Sequence, residues 1–179
     1  MGGTMTGRSP GPLPGLDPAE QQAWESFLGA ALRVYGSLNR VLSEEHSLNL
    51  ADVRLLEILC SSESGAARMG DLAMQLVSLP SRVTRQIRRL EQAGLVRRQA
   101  SPDDGRGVLA AVTDEGRDVL ALAIVTYAQA VRQRFVRPLT RSQMSSLGEN
   151  CERISAALKS SSPDGKVKAS SPDGKASRR

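Results

Sequence analysis

From residue 18 to about 45 the apolar side chains Trp24, Phe27, Leu28, Ala31, Tyr35, Leu38 and Leu42 recur at spacings of three and four, which predicts one long amphipathic helix. Asp17 is its expected N-cap, with Pro18 in the first turn and Glu20 closing a capping box. Ser47 or Asn49 can cap a second helix whose inner face carries Val53, Leu56 and Cys60 and which runs into the polar cluster 61–65. Leu72, Ala73, Leu76 and Val77 predict a short third helix over 70–77. Leu79 is pushed out of helical geometry by Pro80, which opens a fourth helix ending before Gly94.

The period then changes. Residues 95–100 and 108–112 are short apolar-containing runs separated by the turn-rich 101–107, a two-stranded hairpin with a charged tip. Thr113 caps a fifth helix with Asp114 and Glu115 in its first turn, where negative charge suits the helix dipole. Its stripe of Leu120, Ile124, Tyr127, Val131 and Phe135 runs until Pro138. Thr140 and Gln143 form a second capping box for a last helix carrying Met144, Leu147, Cys151, Ile154 and Leu158. Eight of the first 17 residues are Gly or Pro, so 1–16 reads as a disordered leader, and the near-repeat of Ser, Pro, Asp, Gly and Lys over 159–179 reads as a disordered basic tail.

Composition narrows the fold class. Aromatics are 3% of the 179 residues, so the core must be aliphatic, and the chain is expected to be mainly α with a small β-hairpin wing. No apolar run is long enough for a membrane span and 1–15 lacks the apolar stretch of a signal peptide, so the protein is read as cytoplasmic, with no membrane partner. One histidine, His46, and two cysteines without metal-ligand spacing give no metal site, and Cys60 and Cys151 sit on apolar stripes where thiols pack. His46 is expected to be solvated or to cap a helix end. The chain shows no nucleophile with a neighbouring base, no phosphate-cradling glycine loop and no paired carboxylates on a shared face, so it is read as a non-enzyme without cofactors.

Charge supplies the functional signal. Residues 79–107 hold seven arginines against three acids, whereas 18–78 carry a net −4, a distribution expected of a polyanion-binding element. At 100° per residue Val83, Ile87 and Leu90 share one side of the fourth helix while Ser81, Arg85, Arg88 and Arg89 fall opposite, flanked by Arg82 and Thr84. A short helix, a turn and a second helix with such an outer face describe a recognition helix for the DNA major groove. The expected assignments are Ser81, Arg82 and Arg85 to base edges, Thr84 and Arg88 nearer the backbone, and Arg106 at the hairpin tip to the minor groove, oriented by Asp104. The missing aromatics around this patch argue against single-stranded nucleic acid.

Together these elements describe a winged helix-turn-helix domain embedded in an α-helical dimerisation frame, and they resemble the MarR family of transcriptional regulators. The resemblance rests on SRVTRQIRRLEQAGLVRR (81–98), on DGRGVLAAVTDEG (104–116) with its Asp-x-Arg wing signature, and on LNLADVRLLEIL (48–59), and it extends over about 20–158. It implies dimerisation helices at about 17–46 and 114–158 and a DNA-binding lobe at about 49–113 within a domain spanning 17–158. It also implies a homodimer on a palindromic operator, usually a repressor and often released by a phenolic or anionic ligand. Trp24, Phe27, Tyr35 and Arg54 are candidates to line such a cleft, although the aromatics read first as dimer core and Arg54 as a surface or ion-pair residue. The same fold also suits a module that binds DNA without sequence choice or acts through protein contacts. A steep, sequence-independent salt dependence would distinguish the former.

Overall fold

The computed structural model describes residues 13–100 and 108–160. The first 12 residues, the hairpin tip with Asp104 and Arg106, and residues 161–179 lie outside the described residues; Lys159 and Ser160, expected in the basic tail, instead end the last helix.

The chain divides into two units, 1–135 and 136–179. The first begins with α1 (Pro18–His46), 29 residues long, whose cap is the one expected: the Asp17 carboxylate accepts from Ala19 and Glu20, and Glu20 accepts from the Asp17 N–H. Asn49, not Ser47, caps α2 (Leu50–Ser61), pairing reciprocally with Asp52. Ser47 instead ends α1 in the left-handed conformation at φ 55°. The core forms where α2 is wrapped by the other elements: Leu42, Leu56, Leu59, Leu72, Ile87 and Leu90 are fully buried. Each such side chain contributes roughly 1.5–3 kcal/mol when withdrawn from water.

Three elements depart from the sequence-based expectation. Ala66–Arg68 forms a strand, β1, that pairs antiparallel with β3 (Val108–Val112), so the expected hairpin of β2 (Val96–Ala100) and β3 becomes a three-stranded sheet in the order β1-β3-β2. Ala-Ala-Arg has no alternation or β-branched residue to announce a strand, and only its partner across the fold organises it. The third helix, α3, spans Met69–Gln75, ending two residues before the expected Val77. Val77 adopts φ 48°, which a β-branched residue enters only under strain, and so turns the chain towards α4 (Pro80–Gln92). Finally α5 (Asp114–Val131) does not continue as an α-helix to Pro138; Arg132–Val136 widen into a π-helical segment. Pro138 has no N–H for the Arg134 carbonyl, so the regular ladder could not have continued through it.

In the first unit α5 packs along α1 and α2. His46, expected in solvent or as a cap, is instead mostly buried with Nε2 2.9 Å from the Thr126 hydroxyl, which donates to Glu45 at 2.9 Å. Because that hydroxyl hydrogen points at the carboxylate, the histidine side of the contact is the donor. The second unit contains α6 (Arg141–Ser160), whose start is fixed by the expected Thr140–Gln143 box.

Candidate nucleic-acid interface

Helix α4 is presented by a short turn. Leu79 is extended at φ −68° and ψ 139°, as a residue before proline must be, and Pro80 takes the first helical position, where a missing N–H costs nothing. Val83, Ile87 and Leu90 are completely buried, fixing which face looks inward. Ser81, Arg82, Arg85 and Arg88 are exposed on the other side, and the three arginines form no ion pair among the described residues. A row of unneutralised guanidinium groups on a rigid helix, each with a planar fork of donors, suits phosphate oxygens and the O6/N7 edge of guanine.

Two expected members of this face behave differently. The Thr84 hydroxyl donates to the Pro80 carbonyl at 2.9 Å, so outward it offers lone pairs and a methyl group, which match a base amino group or a thymine methyl better than a phosphate. Arg89, placed outward by the helical wheel, reaches back to the carboxylate of Asp52. The wheel assigns a direction to the Cα–Cβ bond, and a long arginine stem can turn against it to find a buried charge.

The wing is anchored to the end of α4 by a clasp. Thr113 donates its hydroxyl to the Gly94 carbonyl at 2.7 Å, accepts from the Gly116 N–H at 3.0 Å, and donates its own N–H to the Leu95 carbonyl at 3.1 Å. Gly116 has no room for a side chain: a Cβ there would stand 2.1 Å from the Leu95 carbonyl oxygen. Gly94 sits at φ 76°, in the left-handed region that glycine enters freely. These contacts fix where β2 leaves α4. On β2, Arg97 is exposed and Arg98 lies 3.3 Å from Glu91. Arg97 therefore adds an outward cation that motif reasoning, focused on α4 and the wing tip, had passed over.

Comparison with known proteins addresses the family. The MarR family model matches residues 48–108. The HTH-type transcriptional regulator YhbI of Bacillus subtilis is 31% identical over 109 residues, 59% of this chain and 70% of the relative. Sco3205, a MarR family transcriptional regulator from Streptomyces coelicolor solved in complex with DNA, is 34% identical with TM-score 0.78, covering 88% of this chain and 96% of that one. The chain belongs to the MarR family. AbsC, a further MarR family regulator from Streptomyces coelicolor, is 30% identical with TM-score 0.76, covering 81% of this chain and 97% of that one. This is thus a MarR-family transcriptional regulator, and its relatives are regulators rather than enzymes. No described helix is long and apolar enough to cross a membrane.

Within this MarR fold the four candidate ligand-cleft residues do not converge. Tyr35 and Arg54 line a cavity of about 290 Å³ bounded by α1, α2, the α3–α4 turn and Gln86. Trp24 and Phe27 lie about 12 to 16 Å further along the axis of α1, their rings 6.1 Å apart and tilted at 39°. Arg54 is paired with Glu57 at 2.8 Å, the ion-pair role expected of it, and both also border a cavity of about 470 Å³ with Ile58, Ser61, Ala67 and Gln75. Cys60 is partly buried. Burial pushes its thiol above the usual range, opposed by the neighbouring Arg117 guanidinium, which is the signature of a packing cysteine.

Proposed function

We propose that this MarR-family regulator is a cytoplasmic homodimer that recognises a palindromic double-stranded operator by sequence and represses transcription until a small ligand releases it. The observation carrying this reading is the outward face of α4, where Arg82, Arg85 and Arg88 stand exposed and unpaired among the described residues beside Ser81. In this reading Ser81, Arg82 and Arg85 read base edges, Arg88 meets the backbone and Thr84 contributes its methyl or lone pairs, while Arg106 and Asp104, outside the described residues, are assigned to the minor groove on the sequence alone. The DNA complex of Sco3205, 34% identical, supports DNA as the partner.

Exposed apolar surface supports the dimer. On α1, Leu32 is 61% and Tyr35 50% exposed, and on α5 Leu122 is 64% and Val125 56% exposed. Only Leu38 and Leu42 of α1 are buried, so most of its stripe, with Trp24 and Phe27, awaits a covering surface. The candidate place for a phenolic or anionic ligand is the cavity lined by Tyr35 and Arg54 close to the α3–α4 turn.

Selection from a random-sequence duplex pool tests the reading. The expected product is an inverted repeat whose half-sites are centred about one helical turn, roughly 34–36 Å, apart. A selected pool without consensus would overturn sequence-specific recognition.

A further inference from the structure

We propose that Asp52, on α2, is the positioning residue that sets the rotation of the recognition helix, and that Arg89 serves this latch instead of touching DNA. Asp52 is 0% exposed, the only buried charged side chain among the described residues. Its carboxylate is held from one side by the N-terminus of α2, accepting from the Asn49 N–H at 2.8 Å. From the other side it receives two groups of α4: Gln86 donates to Oδ1 at 3.2 Å and the Arg89 guanidinium pairs with Oδ2.

The geometry separates what apolar packing does from what the carboxylate does. Val83, Ile87 and Leu90 hold α4 against the core, but hydrophobic burial is non-directional and fixes the rotation of the helix less sharply than directional bonds do. Gln86 and Arg89, three residues apart, are neighbours on one helical face, and two directional bonds from that face to one anchored carboxylate define both roll and axial register. A 20° roll would carry an atom at the outer radius of a helix about 2 Å, enough to break a bidentate arginine–guanine pair made by Arg85. An ion pair between a buried carboxylate and a half-exposed guanidinium adds little net stability, so its contribution here is orientation.

This inference rests on the reading of α4 as the DNA-reading helix, and the experiment separates the two. In the full chain, Asp52→Asn keeps the volume and an acceptor for the Asn49 N–H but removes the charge that holds Arg89. Affinity is measured for the pool-selected duplex and a scrambled one over a salt series, together with hydrogen exchange of amides 81–92. The expected result is a selected-to-scrambled ratio reduced about tenfold or more, an unchanged salt slope and faster exchange in α4. Arg89→Gln should do the same, with the double variant no worse than either single one, because both break one interaction. The latch is overturned if Arg89→Gln lowers the salt slope by about one while Asp52→Asn leaves the ratio intact, the behaviour of a phosphate contact beside a simple helix cap. If Asp52→Asn does not fold, Arg89→Gln at the half-exposed partner carries the same test. Should the wild-type chain itself not discriminate, sequence-specific reading fails, and unchanged α4 exchange in either variant still overturns the latch while faster exchange upholds it.

Discussion

Arg85 projects from the middle of α4 with no acidic partner among the described residues, so its removal perturbs the exposed face of the helix and little else. Arg85→Ala is expected to cost on the order of 1–3 kcal/mol of operator binding and to relax base preference at one position, read by anisotropy on duplexes varied at single pairs. Cys60 offers a different residue-level test. Its thiol is raised by burial and only partly offset by Arg117, so the native state favours the protonated form. That preference stabilises the fold fully below the unfolded-state pKa and is lost as pH rises through the native one. At pH 8, in a Cys151→Ser background, alkylation of native Cys60 should therefore be slower than that of the unfolded chain; an equal or faster rate would contradict inert packing.

At the scale of elements, the join between α4, β2 and α5 leaves no room for a side chain at Gly116. Gly116→Ala drives a methyl group into the Leu95 carbonyl, and neither backbone can yield without disturbing the Thr113 clasp. A loss of about 1–3 kcal/mol or more is expected, measured as an earlier denaturation midpoint at unchanged slope. Helices α1, α2, α4 and α5 were legible from the sequence because each has a local start signal and a periodic stripe: Asp17 with Glu20, Asn49, Pro80 and Thr113 all stand where the chain's pattern puts them. Strand β1 was not, since Ala66–Arg68 becomes a strand only by pairing with a segment more than 40 residues later. The π-helical turn at Arg132–Val136 likewise has no pattern of its own beyond the proline that follows. In the candidate site the row Arg82, Arg85 and Arg88 followed from helical period alone. Asp52 did not: a capping-box acid is ordinarily solvated, and nothing in its neighbourhood announces that Gln86 and Arg89 come back to it.

For the whole molecule, the feature left to explain is exposed apolar surface on α1 and α5. Leu32 and Leu122 belong to helices that pack on each other within the chain, yet both are more than half exposed. In sedimentation equilibrium the wild-type chain should behave as a dimer. Leu32→Glu or Leu122→Glu should shift it towards monomer and weaken operator binding together, whereas dimers unaffected by both would place the interface elsewhere. The central claim is that the α4 face discriminates among DNA sequences. Its most direct test is fluorescence anisotropy of the purified chain on the duplex upstream of its own gene and on a scrambled duplex across a salt series. The account predicts an affinity ratio of at least about 10³ that survives moderate salt. Equal affinities falling in parallel as salt rises would contradict it.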